Sequence, residues 1–231
     1  MRLLGMFARL PEPGKTKTRL AASIGDTAAA ALYEGFVCDL MHRCVAMPDQ
    51  FVVAVTPDET PTVDWFRKHA SPETEIVVQP EGDLGQRVEW FFSHAEQQGA
   101  TRTVLIGSDS PDLPDRIITE AFERLRGVDV VISPASDGGY VLIGMRVPPG
   151  ELFGNIAWSS AATLNDTMQK ASELGMSVEL LPCWYDIDTI ENLGALIPMQ
   201  KSRGAENAIC PKTNAAIAEL RTEIDAALRQ N

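Results

Sequence analysis

The sequence has few of the residues from which metal centres and nucleophilic triads are commonly built. Its four cysteines and three histidines are scattered over 231 residues. No two cysteines have C-x-x-C spacing, which argues against a zinc site. The isolated His42, His69 and His94 give no support to a Ser/His/Asp triad. Cysteines without a pairing pattern are typical of a reducing compartment, so we expect a cytoplasmic protein.

Positive charge and long apolar runs are also scarce. The chain has 20 Lys and Arg against 32 Asp and Glu, a net charge of −12. This charge argues against nucleic acids and anionic membrane surfaces as partners. No stretch approaches the roughly 20 apolar residues of a transmembrane helix, and residues 1–14 indicate a first strand rather than a signal peptide. A small anionic substrate stays open, because a local basic pocket can lie within an acidic protein.

Short apolar runs alternate with helical segments along most of the chain. Strands are predicted at 3–8, 50–56, 75–79, 102–107, 128–133, 140–144 and 177–181. Helices are predicted at 26–44 with Asp26 as N-cap, and at 61–70, 84–98, 114–126 and 159–174. This alternation favours an α/β fold with a parallel or mixed sheet covered on both faces. Ligands of such sheets bind beyond the carboxyl ends of the strands.

The composition changes near residue 200, so we expect a domain over 1–200 and a helical tail over 201–231. Residues 201–214 are rich in turn formers, and a helix is predicted from Ala215 onward. Ile217, Leu220, Ile224 and Leu228 fall near one face of that helix. The tail can pack on its own domain, form a homodimer or be partly mobile, and the first alternative is favoured.

The segment after the first strand, PEPGKTKTRL, contains Gly14-Lys15-Thr16, the closing letters of a P-loop. Arg9, however, stands where the first glycine of that motif belongs. Two prolines further remove backbone N–H donors from the loop. We expect instead a basic loop that clamps phosphate, with Arg9, Lys15, Lys17 and Arg19 as its cations; a solvated basic loop is the alternative.

Acidic residues follow two of the later strands. Asp109 lies in the turn after the fourth strand, free to face a ligand, whereas Asp112 and Asp115 are better placed to cap the next helix. Asp186 and Asp188 alternate around Ile187, so in extended backbone both can face one cation. Carboxylates are the ligands that Mg²⁺ and Mn²⁺ prefer. A structural turn role for Asp109 and an N-cap role for Asp188 remain alternatives.

Two glycine-containing turns complete the set of candidate segments. Gly138 and Gly139 precede a strand and allow close approach to a ligand, or simply form a tight turn. Asp137, before them, is expected either to bind a ligand hydroxyl or to brace the turn. The segment 79–92 contains a turn leading into a helix. Gly85, Gln86 and Arg87 lie at the start of that helix, where backbone N–H groups favour anions.

Taken together, FARLPEPGKTKTRL, GDLGQR, GSDSPDLP, DGGYVLIG, WSS and DIDT resemble the glycosyltransferase-A-like family that includes arsenosugar-biosynthesis glycosyltransferases. More distantly, the pattern is similar to guanylyltransferases that make phospholactate and molybdopterin dinucleotide cofactors. The resemblance covers about residues 1–196. It implies a nucleotide-diphospho-sugar transferase fold, a Rossmann-like three-layer α/β/α sandwich with a mostly parallel, mixed sheet.

The resemblance also implies roles for particular residues. The expected nucleotide contacts are Ala8, Arg9, Gly14, Lys15, Lys17, Arg19, Gln79, Gly85, Gln86, Arg87 and Ser108. Gly138 and Gly139 are expected near the donor sugar or second substrate, and Trp158 and Ser159 beside the acceptor. Mg²⁺ or Mn²⁺ is expected on Asp109, Asp186 and Asp188. The expected catalytic residues are Asp109, Lys17 and Arg19, with Asp137 as candidate base. Two departures are Ser110, where relatives often carry cysteine, and the absent G-G-x-x-x-R opening of nucleotidyltransferases.

Three functions follow as hypotheses. The first is metal-dependent transfer of a sugar from a nucleotide sugar to a small acceptor, with release of a nucleoside diphosphate. The second is transfer of a nucleotidyl group from an NTP to a phosphorylated small molecule, with release of pyrophosphate. The third is a nucleotide-binding protein without catalysis. The missing G-G-x-x-x-R opening places the first ahead of the second.

Overall fold

The computed structural model describes residues 1–146, 148–203 and 209–230. Its strands are β1 (Arg2–Arg9), β2 (Gln50–Thr56), β3 (Thr74–Val78), β4 (Arg102–Ile106), β5 (Val130–Pro134), β6 (Tyr140–Met145) and β7 (Val178–Leu180). Its helices are α1 (Thr18–Ile24), α2 (Asp26–Cys44), α3 (Thr60–His69), α4 (Leu84–Gln97), α5 (Asp115–Arg124), α6 (Thr163–Glu173), α7 (Ile190–Arg203), α8 (Pro211–Glu219) and α9 (Arg221–Leu228).

The described strands form one sheet of seven, in the order β3-β2-β1-β4-β6-β5-β7. β6 pairs antiparallel with both β4 and β5, whereas all other neighbours are parallel. The predicted mostly parallel, mixed sheet is therefore confirmed. Because β6 is reversed, its first residue lies at the same edge as the ends of β1, β4 and β5. The loops at this carboxyl edge carry most of the predicted site residues.

Side chains alternate between two apolar layers along β1. Leu4 and Met6 of β1 face a layer that includes Phe36 of α2, whereas Leu3 faces one that includes Phe91 of α4. Each of these side chains is fully buried, and burying one contributes about 1.5–3 kcal/mol. Helices thus cover both faces of the sheet, as the three-layer prediction requires. Gly5 is needed here, since a Cβ would meet Phe91 Cζ at 2.0 Å.

Several helix boundaries differ from the predictions. α1 was not predicted; it begins after Lys17, whose backbone is left-handed at φ 50° and ψ 45°. Gly25, not Asp26, is the N-cap of α2, so no side chain caps the start of this helix. α6 begins at Thr163 instead of Ser159, because Ser159 takes a positive φ of 57° that a helix cannot include.

The C-terminal segment packs on the rest of the chain. The predicted single helix is two, α8 and α9, which meet at Leu220. The buried Asp39 carboxylate of α2 accepts the N–H groups of Lys212 at 2.9 Å and Thr213 at 2.7 Å. Ile217 and Ile224 join the larger apolar layer. Residues 204–208 and 231 of the predicted tail lie outside the described residues. The domain division at residue 200 and the homodimer stay predictions.

In the part of the chain that the structure describes, which includes all four cysteines, no disulfide forms; Cys38, Cys44 and Cys210 are buried, and Cys183 is exposed. Within the described ranges, no helix has the length and apolar character needed to cross a membrane. The cytoplasmic location stays a prediction.

Candidate active site

The side chain of Lys17 lies at the centre of the carboxyl edge. Its Nζ is 2.5 Å from Asp109 Oδ1 and 2.8 Å from Asp188 Oδ1, and the side chain is 4% exposed. The same nitrogen lies 5.9 Å from the ring centroids of Tyr33 and of Phe36. Burial alone would lower the pKa of Lys17, but the two carboxylates outweigh it and the pKa lies above its ordinary value. The ammonium group therefore stays charged between two acidic side chains.

The two acidic turns, 77 residues apart at Asp109 and Asp186, are in direct contact. The N–H of Ile187 donates to the Asp109 carbonyl at 2.9 Å. Ser110 Oγ lies 2.7 Å from Asp186 Oδ1 and 2.9 Å from the Tyr185 carbonyl, so its single proton can bond either. The pKa of Asp186 is raised to about 6, mainly by burial and in second place by the negative charge of Asp109. The turns thus form one acidic unit.

A cavity of about 300 Å³ lies beside Lys17 and is rich in basic side chains. It is lined by Arg9, Lys15, Thr16, Lys17, Thr18, Arg19, Tyr33, Asp109 and Asp188. Four of these residues are cations, so the predicted basic loop and the acidic turns share one cavity. Its charge and size suit a polyphosphate.

The backbone of the basic loop is not a P-loop cradle. The N–H groups of Lys15 and Thr16 donate to the Glu12 carbonyl at 3.1 and 3.2 Å, so they are not directed toward a ligand. Lys15 Nζ also pairs with Glu12 at 3.0 Å. Arg19 is 77% exposed and its guanidinium is 3.9 Å from Asp188. The loop can therefore meet phosphate with side chains rather than with a ring of amides.

A second cavity, of about 260 Å³, is mainly apolar and also reaches Asp109. It is lined by Phe7, Leu84, Val88, Leu105, Ile106, Gly107, Ser108, Asp109, Tyr140, Val141, Leu142, Ile143, Trp158 and Asp186. A flat, largely apolar group attached to a charged one would fit this pair of cavities.

A third cavity, of about 520 Å³, also borders the acidic turns. It is lined by Arg19, Leu84, Asp109, Asp137, Gly139, Tyr140, Trp158, Ser159, Ser160, Ala161, Thr163, Asp186 and Asp188. Asp186 and Asp188 both reach it while Ile187 is fully buried, consistent with the alternation in the sequence. Asp109 lines all three cavities, so it stands where their occupants would meet.

Seven of the expected ligand contacts line none of these three cavities: Ala8, Gly14, Gln79, Gly85, Gln86, Arg87 and Gly138. The physical reason is clearest at the start of α4. The Gln86 N–H donates to Asp83 Oδ1 at 2.9 Å, and the Gln86 side chain accepts from the Asp83 N–H at 3.0 Å. This capping box uses the N–H that was expected to bind an anion.

Three other residues of this group serve the protein's own packing. Gln79 is buried and donates to the Ala54 carbonyl at 2.7 Å. A Cβ on Gly85 would meet Trp158 Nε1 at 2.4 Å. Gly138 has φ +92°, and a Cβ there would meet the Ala161 carbonyl oxygen at 2.4 Å. These glycines are needed for close packing of protein against protein.

Asp112 and Asp115 have contacts that the sequence did not reveal, whereas Asp137 takes one of its two expected roles. The predicted caps of α5 are wrong, because Pro114 is its N-cap and makes no side-chain hydrogen bond. Asp115 instead lies 2.8 Å from Arg43 Nε. Asp112 is fully buried and accepts from Trp184 and Tyr185. Asp137 lines the third cavity, but its Oδ1 accepts the Gly139 N–H at 3.0 Å and braces the turn.

Sequence reasoning missed Tyr33, which joins the ends of β1 and β4. Its hydroxyl accepts the Arg9 N–H at 3.0 Å and lies 2.7 Å from Ser108 Oγ. Burial, and then the charge of Asp109, raises the pKa of Tyr33 to about 12, so the hydroxyl stays protonated. Within an alanine-rich helix, this tyrosine carries no sequence signal of its position.

The family model described as "Uncharacterized protein conserved in bacteria (DUF2064)" matches residues 41–160. The chain belongs to this family. A solved structure from Desulfovibrio desulfuricans G20, described as a putative nucleotide-diphospho-sugar transferase, is 31% identical to the present DUF2064 member. The match covers 98% of this chain and 97% of the Desulfovibrio chain, with a TM-score of 0.88. The expected fold is thereby confirmed.

A curated enzyme and a further solved structure are also similar to this DUF2064 protein. A 2-phospho-L-lactate guanylyltransferase from Methanopyrus kandleri is 25% identical over 203 residues, covering 84% of this chain and 89% of that protein. A cytidylyltransferase structure from Leptospira borgpetersenii is 15% identical with a TM-score of 0.56, covering 96% of each chain. The second likeness concerns the fold alone. The predicted similarity to phospholactate guanylyltransferases is confirmed.

Proposed function

We propose that this protein is a nucleotidyltransferase. A phosphate oxygen of a small acceptor attacks the α-phosphorus of an NTP. A new P–O–P linkage forms, the bond between the α-phosphorus and its bridging oxygen to the β-phosphorus breaks, and pyrophosphate leaves with that oxygen. The observation that carries the proposal is the position of Lys17, held between Asp109 and Asp188 beside a cavity of basic side chains. The proposal reverses the order of the first two sequence hypotheses, because the curated relative is a guanylyltransferase.

The basic loop is assigned to the triphosphate. Arg9, Lys15, Lys17 and Arg19 would bind its oxygens and stabilise the negative charge that develops on the departing pyrophosphate. One such donor is typically worth about 3–4 kcal/mol of transition-state stabilisation. The apolar cavity would take the nucleoside, and the third cavity the acceptor.

The acceptor chemistry also favours nucleotidyl transfer over glycosyl transfer. A phosphate monoester is already ionised near pH 7, since its second pKa is about 6, and it needs no general base. A sugar hydroxyl would need one. Asp137, the candidate base, already accepts a hydrogen bond within its own turn. Asp137 is therefore less available as a base than the sequence suggested, and an ionised nucleophile does not need it.

The chemistry of the expected ligands, rather than their present arrangement, suits a divalent cation at this edge. Among the described residues, no group of three His, Cys, Asp or Glu side chains is placed to hold a metal, and Lys17 lies between two of the three expected ligands. All three are carboxylates, which Mg²⁺ and Mn²⁺ prefer. Asp109 and Asp188 would hold the ion with Asp186 beside it. When bound, it would supply positive charge to the phosphate groups.

Product analysis tests the proposal directly. We would incubate the protein and Mg²⁺ or Mn²⁺ with each of the four common NTPs and a panel of phosphorylated hydroxy acids and sugar phosphates, and measure pyrophosphate. Asp109→Ala should abolish release, whereas Asp64→Ala, which changes an exposed aspartate of α3, should not. Pyrophosphate release unchanged in Asp109→Ala would overturn the assignment of Asp109.

Glycosyl transfer is the second candidate, supported by the description of the Desulfovibrio structure as a putative nucleotide-diphospho-sugar transferase. Release of a nucleoside diphosphate from a nucleotide sugar, without pyrophosphate from any NTP, would favour it.

A further inference from the structure

Asp112 is a buried acidic residue that touches none of the three cavities. Its side chain is fully buried. Trp184 Nε1 donates to Oδ1 at 3.2 Å, and the Tyr185 hydroxyl donates to Oδ2 at 2.7 Å. Each carboxylate oxygen therefore has one donor, and both donors come from a segment more than 70 residues away in sequence.

The loop that carries Asp112 is fixed from the opposite side. Arg43 of α2 donates to the Pro111 carbonyl at 2.8 Å and to the Leu113 carbonyl at 2.7 Å. The same guanidinium donates to the Ile209 carbonyl at 3.1 Å. Both residues that flank Asp112 are thus held by one planar, rigid group, and Asp112 is a fixed point for whatever bonds to it.

The segment bonded to Asp112 leads directly into the acidic residues of the site. Residues 181–189 lie between β7 and α7 and form no strand or helix. Their position must therefore be set by contacts with distant parts of the same chain. Trp184 and Tyr185 stack with ring centroids 5.3 Å apart. Asp186 and Asp188 follow within three residues of Tyr185.

We propose that Asp112 is a positioning residue for the reaction. By holding Trp184 and Tyr185, it sets where Asp186 and Asp188 stand relative to Asp109 and Lys17. Asp112 itself contacts no reacting atom. The catalytic part of this inference rests on the proposed function, whereas the positioning part does not.

The test compares Asp112→Ala and Asp112→Asn with a matched control, Asp39→Ala. Asp39 is also buried and accepts two hydrogen bonds, from Lys212 and Thr213, but it does not bond either acidic turn. Asparagine can keep both contacts of Asp112, because its oxygen can accept from Trp184 while its NH₂ donates to Tyr185. The readouts are kcat and KM for pyrophosphate release, and hydrogen exchange of the Ile187 amide.

Asp112→Ala should lower kcat at least about tenfold with a smaller change in KM, since small misplacements of reacting groups have large effects on rate. The Ile187 amide, which bonds to Asp109 in the native protein, should exchange faster. Asp112→Asn should recover most of both properties, and Asp39→Ala should change neither. If Asp112→Ala does not fold, Tyr185→Phe, which removes one donor and keeps the ring, should show the same effects in smaller measure.

Two results would overturn the proposal: an Ile187 exchange rate in Asp112→Ala equal to that in Asp39→Ala, or an Asp112→Asn protein as impaired as Asp112→Ala. An unchanged Ile187 exchange rate in Tyr185→Phe would also overturn it. A wild-type protein that releases no pyrophosphate would refute the proposed function alone. The exchange measurements would still decide whether Asp112 holds the segment.

Discussion

Replacing Lys17 with methionine should destabilise the protein strongly. Methionine keeps most of the apolar stem but removes the ammonium group between Asp109 and Asp188. Removing one partner of a buried ion pair costs about 3–5 kcal/mol. Because the side chains of Asp109 and Asp188 are 43% and 39% exposed, water relieves part of their repulsion. We therefore expect the lower end of that range, a loss of about 3 kcal/mol in the free energy of unfolding.

This loss is large enough to measure by thermal and urea unfolding. In a protein of this size, 1 kcal/mol corresponds to about 2–4 °C in Tm, so Tm should fall by about 6–12 °C in EDTA at pH 7. The control is Lys15→Met, because the Lys15 side chain is 62% exposed and, among the residues that the structure describes, its ion pair is with Glu12. That change should cost less than about 0.5 kcal/mol. The same Tm for both variants would refute the reasoning.

A cation should replace the missing ammonium group in the Lys17 variant. With Lys17 absent, Asp109 and Asp188 are no longer neutralised from within, so Mn²⁺ should raise the Tm of Lys17→Met more than that of the wild type. Equal shifts in the two proteins would show that Lys17 and the metal do not share these carboxylates.

Three further predictions concern single contacts. Asp129 accepts hydrogen bonds from the backbone N–H and the hydroxyl of Ser177 and from Arg146. These contacts lower the pKa of the Asp129 carboxyl, and the bond from the Ser177 backbone is the largest cause. Asp129→Asn should therefore cost about 2 kcal/mol near pH 7. In an acid titration this difference should begin to shrink below the ordinary carboxyl pKa of about 3.9 and disappear only below the lowered pKa that Asp129 has in the folded protein. Gly138→Ala should lower Tm through a loss of about 2 kcal/mol, because its φ is positive and the new methyl meets a carbonyl. Tyr33→Phe should cost about 1–3 kcal/mol in urea unfolding, since it leaves a backbone N–H without its acceptor.

The regular elements were the most predictable part of the molecule. α2 and β2 have the bounds that the sequence predicts, because local composition and pattern decide long helices and buried strands. α1 was missed, since its start depends on the left-handed backbone of Lys17. That conformation persists because the side chain is held by distant carboxylates, which a local pattern does not show.

The candidate site was predictable in its residues and less so in its contacts. The rule that ligands bind at the carboxyl ends of strands brought Asp109, Asp188 and Lys17 to one edge. Asp112 was expected to cap a helix, a sound local inference. Its burial between two aromatic donors depends on the convergence of two distant segments, so no spacing in the sequence could predict it.

The exposure of Cys183 makes the acidic turns accessible to spectroscopy. The other three thiols are buried, and burial raises the pKa of Cys38 to about 11 and of Cys44 to about 12, so a maleimide dye should attach to Cys183 alone. The dye would then lie one residue from Trp184 and three from Asp186. Its emission could follow, in real time and without any turnover, the arrival of nucleotides and cations at this edge of the sheet.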